Sequence, residues 1–257
     1  MKHLALALAL SIAAIAPAHA DPEANKKVVL DFYEKGLNQK DFLNGVIGDP
    51  EYYMVCKAMF MCGGPYETTA GFADKYESDF AKAKQLLAEG GYDGTPVVLL
   101  HSTDLYVLTN MAPIAKSLME KSGLKVDMQS MDWQTLVARR AKKDPPAQGG
   151  WNIFITTSSG ISGSNPIIHT WLGAACDRGL FGWPCDPEVE KMRSAWGFAQ
   201  TDAERLKIAT EMQKRAIEQV VYVPFGQWAS PIAYRADRLD GIIGVSGLAV
   251  LWNITKK

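Results

Sequence analysis

Apolar positions along this chain change period several times, and each change marks an element. Within ESDFAKAKQLLAEGGYDG (77–94), Phe80, Ala83, Leu86 and Leu87 fall at helical spacing. Ser78 or Asp79 is placed to cap the start, and Gly90-Gly91 supplies the left-handed residue that stops a helix before a tight connection. TPVVLL follows directly as a strand, which makes an αβ unit. The alternation repeats through a polar break at HSTD, an amphipathic helix over 110–121, Gly123, a strand LKVDMQSM and the segment DWQTLVARR. After the Pro-rich turn KKDPPAQGG, WNIFITTSSGISGSNP reads as a buried strand breaking into a Ser/Gly loop. Two more helices follow, one with Pro187 in its first turn and one over 201–219 that opens with a Thr201 cap and Glu204, a capping box. Strands alternating with helices predict an α/β fold.

In this order and wording, the run resembles the C-terminal half of the family 5 solute-binding proteins, periplasmic receptors that deliver peptides, nickel chelates and similar solutes to ABC importers. VVYVPFGQWASPIAYRADRLDG and the final VLWNITKK are similar to the family's usual ending. The resemblance covers roughly 38–257 and implies one lobe of a two-lobed, type II binding protein, a mixed sheet flanked by helices. Family members are about twice this length, so the N-terminal lobe is expected to be largely missing. The implied function is capture of a peptide-like, opine-like or other polar solute by lobe closure, with an importer permease as partner, no cofactor and no covalent chemistry.

The beginning of the chain reads differently. Residues 1–20 carry Lys2 and His3, an apolar run from Leu4 to Ile15 and a small-x-small ending at Ala18-His19-Ala20, the composition of a cleavable signal peptide. No other segment is apolar and long enough to span a bilayer, so export to the periplasm without stable membrane insertion is expected. Residues 24–37 form an amphipathic pattern that resembles the opening helix of secreted SnoaL-like (NTF2-like) proteins. The string NQKDF suits either parent, which divides the chain into 1–20, an N-terminal helix within 21–42, and the solute-binding region 43–257. A truncated or chimeric lobe without function is the alternative reading, and a small secreted SnoaL-like enzyme a further one.

Composition agrees with a folded domain: 257 residues, 47% hydrophobic, 21% charged, net charge -1 with scattered lysine and arginine. No electrostatic footprint for nucleic acid or anionic membrane is present. The four cysteines fall in two close pairs, Cys56 with Cys62 and Cys176 with Cys185, and read as two local disulfides in an oxidising compartment. Zinc held by all four is the rival, and the spacing is wider than zinc sites favour.

Site residues carry over from the resemblance only where the text matches. Tyr106 after the HSTDL stretch, Trp133 opening the DWQTL segment and Arg140 two turns along are implied to line the cleft. Trp and Tyr offer rigid faces with a polar edge, and Arg a planar donor fork for a carboxylate or carbonyl. Where peptide receptors place an aspartate for the ligand's ammonium, this chain has Ile155, Thr157, Ser158, Ser159 and Ile161. Thr157, Ser158 and Ser159 therefore suit a modified peptide, opine or sugar-like compound better than a free dipeptide. Gln227 and Trp228 are placed to face the same cleft, although Trp228 suits the core equally. An enzyme reading finds little support: after the leader only His101 and His169 remain, and there is no GxSxG elbow, HExxH or glycine-rich phosphate loop.

Overall fold

The predicted alternation of strand and helix requires a parallel sheet, and the computed structural model, which describes residues 38–72, 77–245, 248–250 and 252–257, contains one. The signal peptide and the helix expected over 24–37 lie outside the described residues. Helix α1 (Gln39–Ile47) starts the described chain, with the Asn38 side chain accepting from the Lys40 and Asp41 amides. It contains most of the NQKDF string, and the division expected at residues 42 and 43 falls inside it, where Phe42, Leu43 and Val46 are buried. After β1 (Tyr53–Met54) and a disulfide loop come α2 (Phe80–Glu89), β2 (Val97–Ser102), α3 (Tyr106–Lys121), β3 (Val126–Met131), α4 (Trp133–Arg140) and β4 (Ile153–Phe154). Helices α5 (Pro187–Phe198) and α6 (Asp202–Glu218) follow, then β5 (Gln227–Trp228), β6 (Leu239–Asp240), β7 (Ile243–Val245), β8 (Leu248–Val250) and β9 (Thr255–Lys256).

Strand β2 is central, in the order β3-β2-β4, paired in parallel from Val97 opposite Val126 to Ser102 opposite Met131 on one side and at Leu99 and Leu100 with Ile153 and Phe154 on the other. The antiparallel pairs β1-β5, β6-β9 and β7-β8 form separate ladders. Because β2 is covered on both faces, it reads as an unbroken apolar run. Leu99 joins the core under α3, while Val98 and Leu100 pack with Leu136 of α4. The strand runs two residues further than TPVVLL, and His101 and Ser102 of the expected polar break are buried.

Local chemistry explains the helix ends. Asp79 accepts from the Lys82 amide, and α2 stops where Gly91 takes φ +78°. Thr201 caps α6 through the Glu204 amide, whereas the Glu204 carboxylate reaches back to the Gln200 amide, one residue beyond the expected capping box. Asp186 caps α5 through the Glu188 and Val189 amides and also accepts from Arg215 Nε at 3.0 Å. Burial pushes its carboxyl up, but those amides and Arg215 outweigh that and hold it below the ordinary value.

Helix α3 begins at Tyr106, four residues earlier than its pattern predicts, and carries Pro113 inside it. Proline has no N–H to offer the carbonyl one turn back, that of Thr109. His101 Nε2 donates to the Thr109 carbonyl instead, at 3.0 Å, while Nδ1 meets Ser130 Oγ at 2.9 Å. This histidine therefore joins β2, β3 and α3 as a structural residue.

The loop from residue 56 to 62 has no ladder of its own, and three glutamine amides take the place of one. Gln39 accepts from Cys56 N–H and donates to the carbonyls of Cys56 and Pro224. Gln213 accepts from Met59 N–H and donates to the carbonyls of Thr68 and Ala70. Gln227 accepts from Cys62 N–H and donates to its carbonyl. The loop closes through the Cys56–Cys62 disulfide, and Cys176–Cys185 closes the second, so the four-cysteine zinc alternative is set aside. No helix among the described residues is long and apolar enough to cross a membrane.

Candidate functional site

The three parallel strands end on one side of the molecule, and the candidate residues follow those ends. In open α/β sheets, ligands bind in the crevice outside the carboxyl ends of the strands. Tyr106 lies just after β2, Trp133 just after β3, and Thr157, Ser158 and Ser159 just after β4. Asp104 ties two of these ends together by accepting from Ser102 Oγ at 3.0 Å and from the Trp133 amide at 2.8 Å. Tyr106 is 88% exposed at the start of α3.

Arg140 sits two helical turns from Trp133, which puts both on one face of α4. Its guanidinium carbon lies 4.4 Å from the Phe181 ring centre, 5.1 Å from Trp133 and 5.6 Å from Phe154. Cation–π attraction of this kind strengthens as water is excluded. Its Nε is buried without a hydrogen-bond partner, and burial lowers the group's affinity for its proton. Among the described residues no carboxylate pairs with it. Its neighbour Arg139, by contrast, is committed to the carbonyls of Gly149 and Gly150.

Aromatic rings continue outward from this cation. Trp151 meets Phe154 at 5.0 Å and Trp183 at 6.2 Å, and Phe154 meets Trp171 at 5.9 Å and Phe181 at 6.3 Å. Phe181 and Trp183 belong to the loop closed by Cys176–Cys185, so that disulfide helps to shape the aromatic wall. The sequence reading gives WNIFITT as a buried strand and Cys176 with Cys185 as a local disulfide, and so misses Trp151, Phe154, Trp171, Phe181 and Trp183. The available signal was the density of aromatic residues in two loops flanked by the cysteines and the Ser/Gly run.

Beside this wall opens a cavity of about 1180 Å³. Thr157, Ser158, Ser159, Gln227 and Trp228 line it, together with Trp151, Phe154, Trp171 and Phe181. Tyr106, Trp133 and Arg140 do not line it, so the candidates fall into two adjoining groups that share Phe154 and Phe181. Ser158 Oγ accepts from Trp171 Nε1 at 2.6 Å, and the hydroxyls of Ser159 and Ser162 lie 2.9 Å apart. The Gln227 amide is engaged by Cys62, which makes this residue a brace for the cavity rim, and Trp228 is half-buried against the main core.

His169 forms part of the cavity floor at 4% exposure. Its Nε2 lies 2.9 Å from both the Met59 carbonyl and the Tyr222 hydroxyl, and Tyr222 itself donates to the Met59 carbonyl. Nδ1 is buried without a partner. His101 and His169 thus meet the Ser130 and Tyr222 hydroxyls, respectively, and among the described residues no group of His, Cys, Asp or Glu could hold a metal ion.

Residues 57–173 match the family described as bacterial extracellular solute-binding proteins, family 5 Middle. The chain is 34% identical over 223 residues to the "Probable peptide ABC transporter periplasmic-binding protein y4tO" of Sinorhizobium fredii, covering 86% of this chain and 41% of that protein. In fold it is similar to the ABC transporter substrate-binding protein CtaP of Listeria monocytogenes, with a TM-score of 0.67, 17% identity, and coverage of 80% of this chain and 41% of that one. It is also similar to the oligopeptide-binding protein AppA of Bacillus subtilis, solved with a nonapeptide, with a TM-score of 0.62, 17% identity, and coverage of 77% and 41%. The chain thus spans about two fifths of the length of these relatives.

Proposed function

We propose that this chain, which over the residues it spans belongs to the family 5 extracellular solute-binding proteins, forms the part of an importer receptor that holds a small solute bearing a carboxylate and no free ammonium group. The observation that carries this reading is Arg140, a guanidinium set among three aromatic rings with no carboxylate partner among the described residues. A solute carboxylate supplies the missing acceptors, and Trp133 and Tyr106 offer faces for its apolar part. The loop after β4 offers hydroxyls at Thr157, Ser158 and Ser159 where an ammonium group would need an acid. Amine-blocked peptides and opine-like compounds whose nitrogen is acylated or closed in a lactam fit that pair of requirements; a free dipeptide does not.

In this reading the role is capture and release without covalent chemistry, in the periplasm after export by the leader at 1–20, and the recipient is an ABC importer permease. The divided regions 21–42 and 43–257 contribute unequally, since every proposed contact lies in the second.

Thermal unfolding with a panel of opines, N-acetylated dipeptides, free dipeptides and neutral sugars tests the reading. A ligand that prefers the native state raises its stability, by about 2.7 kcal/mol at one hundred times Kd. The opines or blocked peptides are expected to raise the midpoint, and Arg140→Met, which keeps the apolar stem against the rings, is expected to weaken their binding about ten- to hundredfold. A neutral sugar that binds parent and variant equally, or a panel without any shift, overturns the assignment.

A further inference from the structure

The two disulfides stand in different surroundings. Cys56 and Cys62 are 5% and 8% exposed, and the Gln39 and Gln227 side chains hold their amides. Cys185, by contrast, is exposed and Cys176 half-buried. The loop that this second pair closes carries groups of the site. Phe181 lies 4.4 Å from the Arg140 guanidinium carbon, Trp183 lies 6.2 Å from Trp151, and Leu180, Phe181 and Gly182 line the cavity. Its backbone is unfavourable. Three non-glycine residues among the described ones take positive φ, and two of them are Cys176 at +57° and Trp183 at +47°. A side chain disfavours that region, so the loop keeps this shape only while its surroundings impose it. Two backbone bonds join its base, from the Cys176 amide to Pro184 and from the Asp186 amide to Ala174. Lys143 meets Asp177 and the Trp183 ring from outside, an exposed contact that contributes little. The disulfide is therefore the main restraint on residues 177–184.

We propose that Cys176–Cys185 is a thiol–disulfide exchange site whose opening frees Phe181 from Arg140 and Trp183 from Trp151. Where Arg140 holds the solute, on which this consequence rests, the bridge then sets the strength of solute binding. The reductant is a dithiol. One of its thiolates attacks Sγ of exposed Cys185; the S–S bond breaks, and its electron pair leaves on Cys176 Sγ, which takes up a proton. The second thiolate attacks the mixed disulfide, Cys185 leaves and is protonated, and the reductant ends as a cyclic disulfide. The protein has gained the two electrons and two protons that the dithiol gave up. Access to sulfur selects this bridge over the buried one, and the bonded base keeps the two thiols adjacent for reoxidation.

The test treats the folded full chain with dithiothreitol, alkylates free thiols, and reads the labelled positions by mass spectrometry. Amide hydrogen exchange and the affinity for an N-acetylated dipeptide are followed in parallel. Label is expected on Cys176 and Cys185 alone. Exchange at the Gly179 and Trp183 amides, bonded to Cys176 and Leu180 in the closed loop, is expected to quicken at least about tenfold, with the Met59 amide unchanged. The dipeptide is expected to bind about tenfold more weakly and to recover on reoxidation, and the double variant Cys176→Ser with Cys185→Ser to match the reduced protein. Reaction of all four cysteines or of none, loosening of the whole chain, unchanged exchange in the loop, or equal affinity in the two states overturns the proposal. A dipeptide that binds neither state while the loop alone responds upholds the exchange site and overturns the assignment of Arg140.

Discussion

Gln213→Ala is expected to lower the unfolding free energy by about 4 kcal/mol, more than almost any surface change could. Gln213 has no exposed surface, yet it is polar, and its amide makes three bonds of 2.7–2.9 Å to the backbone of Met59, Thr68 and Ala70. Alanine leaves one N–H and two carbonyls without partners, each costing about 1–3 kcal/mol when buried, and a void besides. Urea unfolding of parent and variant measures the difference. Exchange at the Met59 amide tells where it arises, because the bond to Oε1 protects that amide in the parent. Gln134→Ala on the exposed side of α4 serves as control and is expected to cost less than about 0.5 kcal/mol. A loss below about 1 kcal/mol for Gln213→Ala would show that the loop from 56 to 62 holds its place without the clamp.

The second large effect is a loss of stability in mild acid traced to His169. Burial lowers its proton affinity from the ordinary 6.5 to about 4; the positive charge of Arg193 adds to this, and the bond to the Met59 carbonyl opposes it. Between those values the unfolded chain binds a proton that the folded chain refuses. Stability is therefore full above pH 6.5 and falls as pH drops towards about 4. At about 1.4 kcal/mol per pH unit, the interval corresponds to about 3 kcal/mol. The groups around the ring are Tyr222, Phe60 and the Met59 backbone, with Arg193 the nearby charge, so among the described residues no carboxylate stands against the ring to stabilise the added charge. Thermal midpoints of the parent are expected to fall across this window. Those of His169→Gln should start lower and change less, since the amide retains a donor for Met59 and does not titrate. Parallel profiles for the two proteins would assign the acid sensitivity to carboxylates elsewhere.

These two effects concern the residues that the sequence left least marked. Gln213 lies on a helix whose start, Thr201, and capping glutamate were legible as local chemistry. Its partner Met59 is 154 positions away. The same holds for Gln39, whose amide reaches Pro224 across 185 positions. Gln227 illustrates the consequence for the site. Its position after the VPF run suggested a ligand contact, while its amide is engaged by Cys62, a partner that no spacing rule could name. His101 was legible only as one of the two histidines outside the leader; that it supplies the donor missing at Pro113 depends on how β2 lies against α3.

The sequence by itself determined the elements and their order, because periodicity, caps and glycine stops act within a turn or two of the chain. Asp79, Gly91, Asp132, Pro187 and Thr201 each sit where local hydrogen bonding or φ requires that residue type. It also determined the cysteine pairs, whose partners are six and nine residues apart. The tertiary structure alone decided what those elements enclose: three glutamine amides holding one loop, a guanidinium among rings drawn from three segments, and a cavity lined by residues from both halves of the described chain. The reason is physical. Such arrangements join groups far apart in sequence, each of which has an ordinary local environment, and only packing brings an orphan donor to an acceptor or leaves it facing open space.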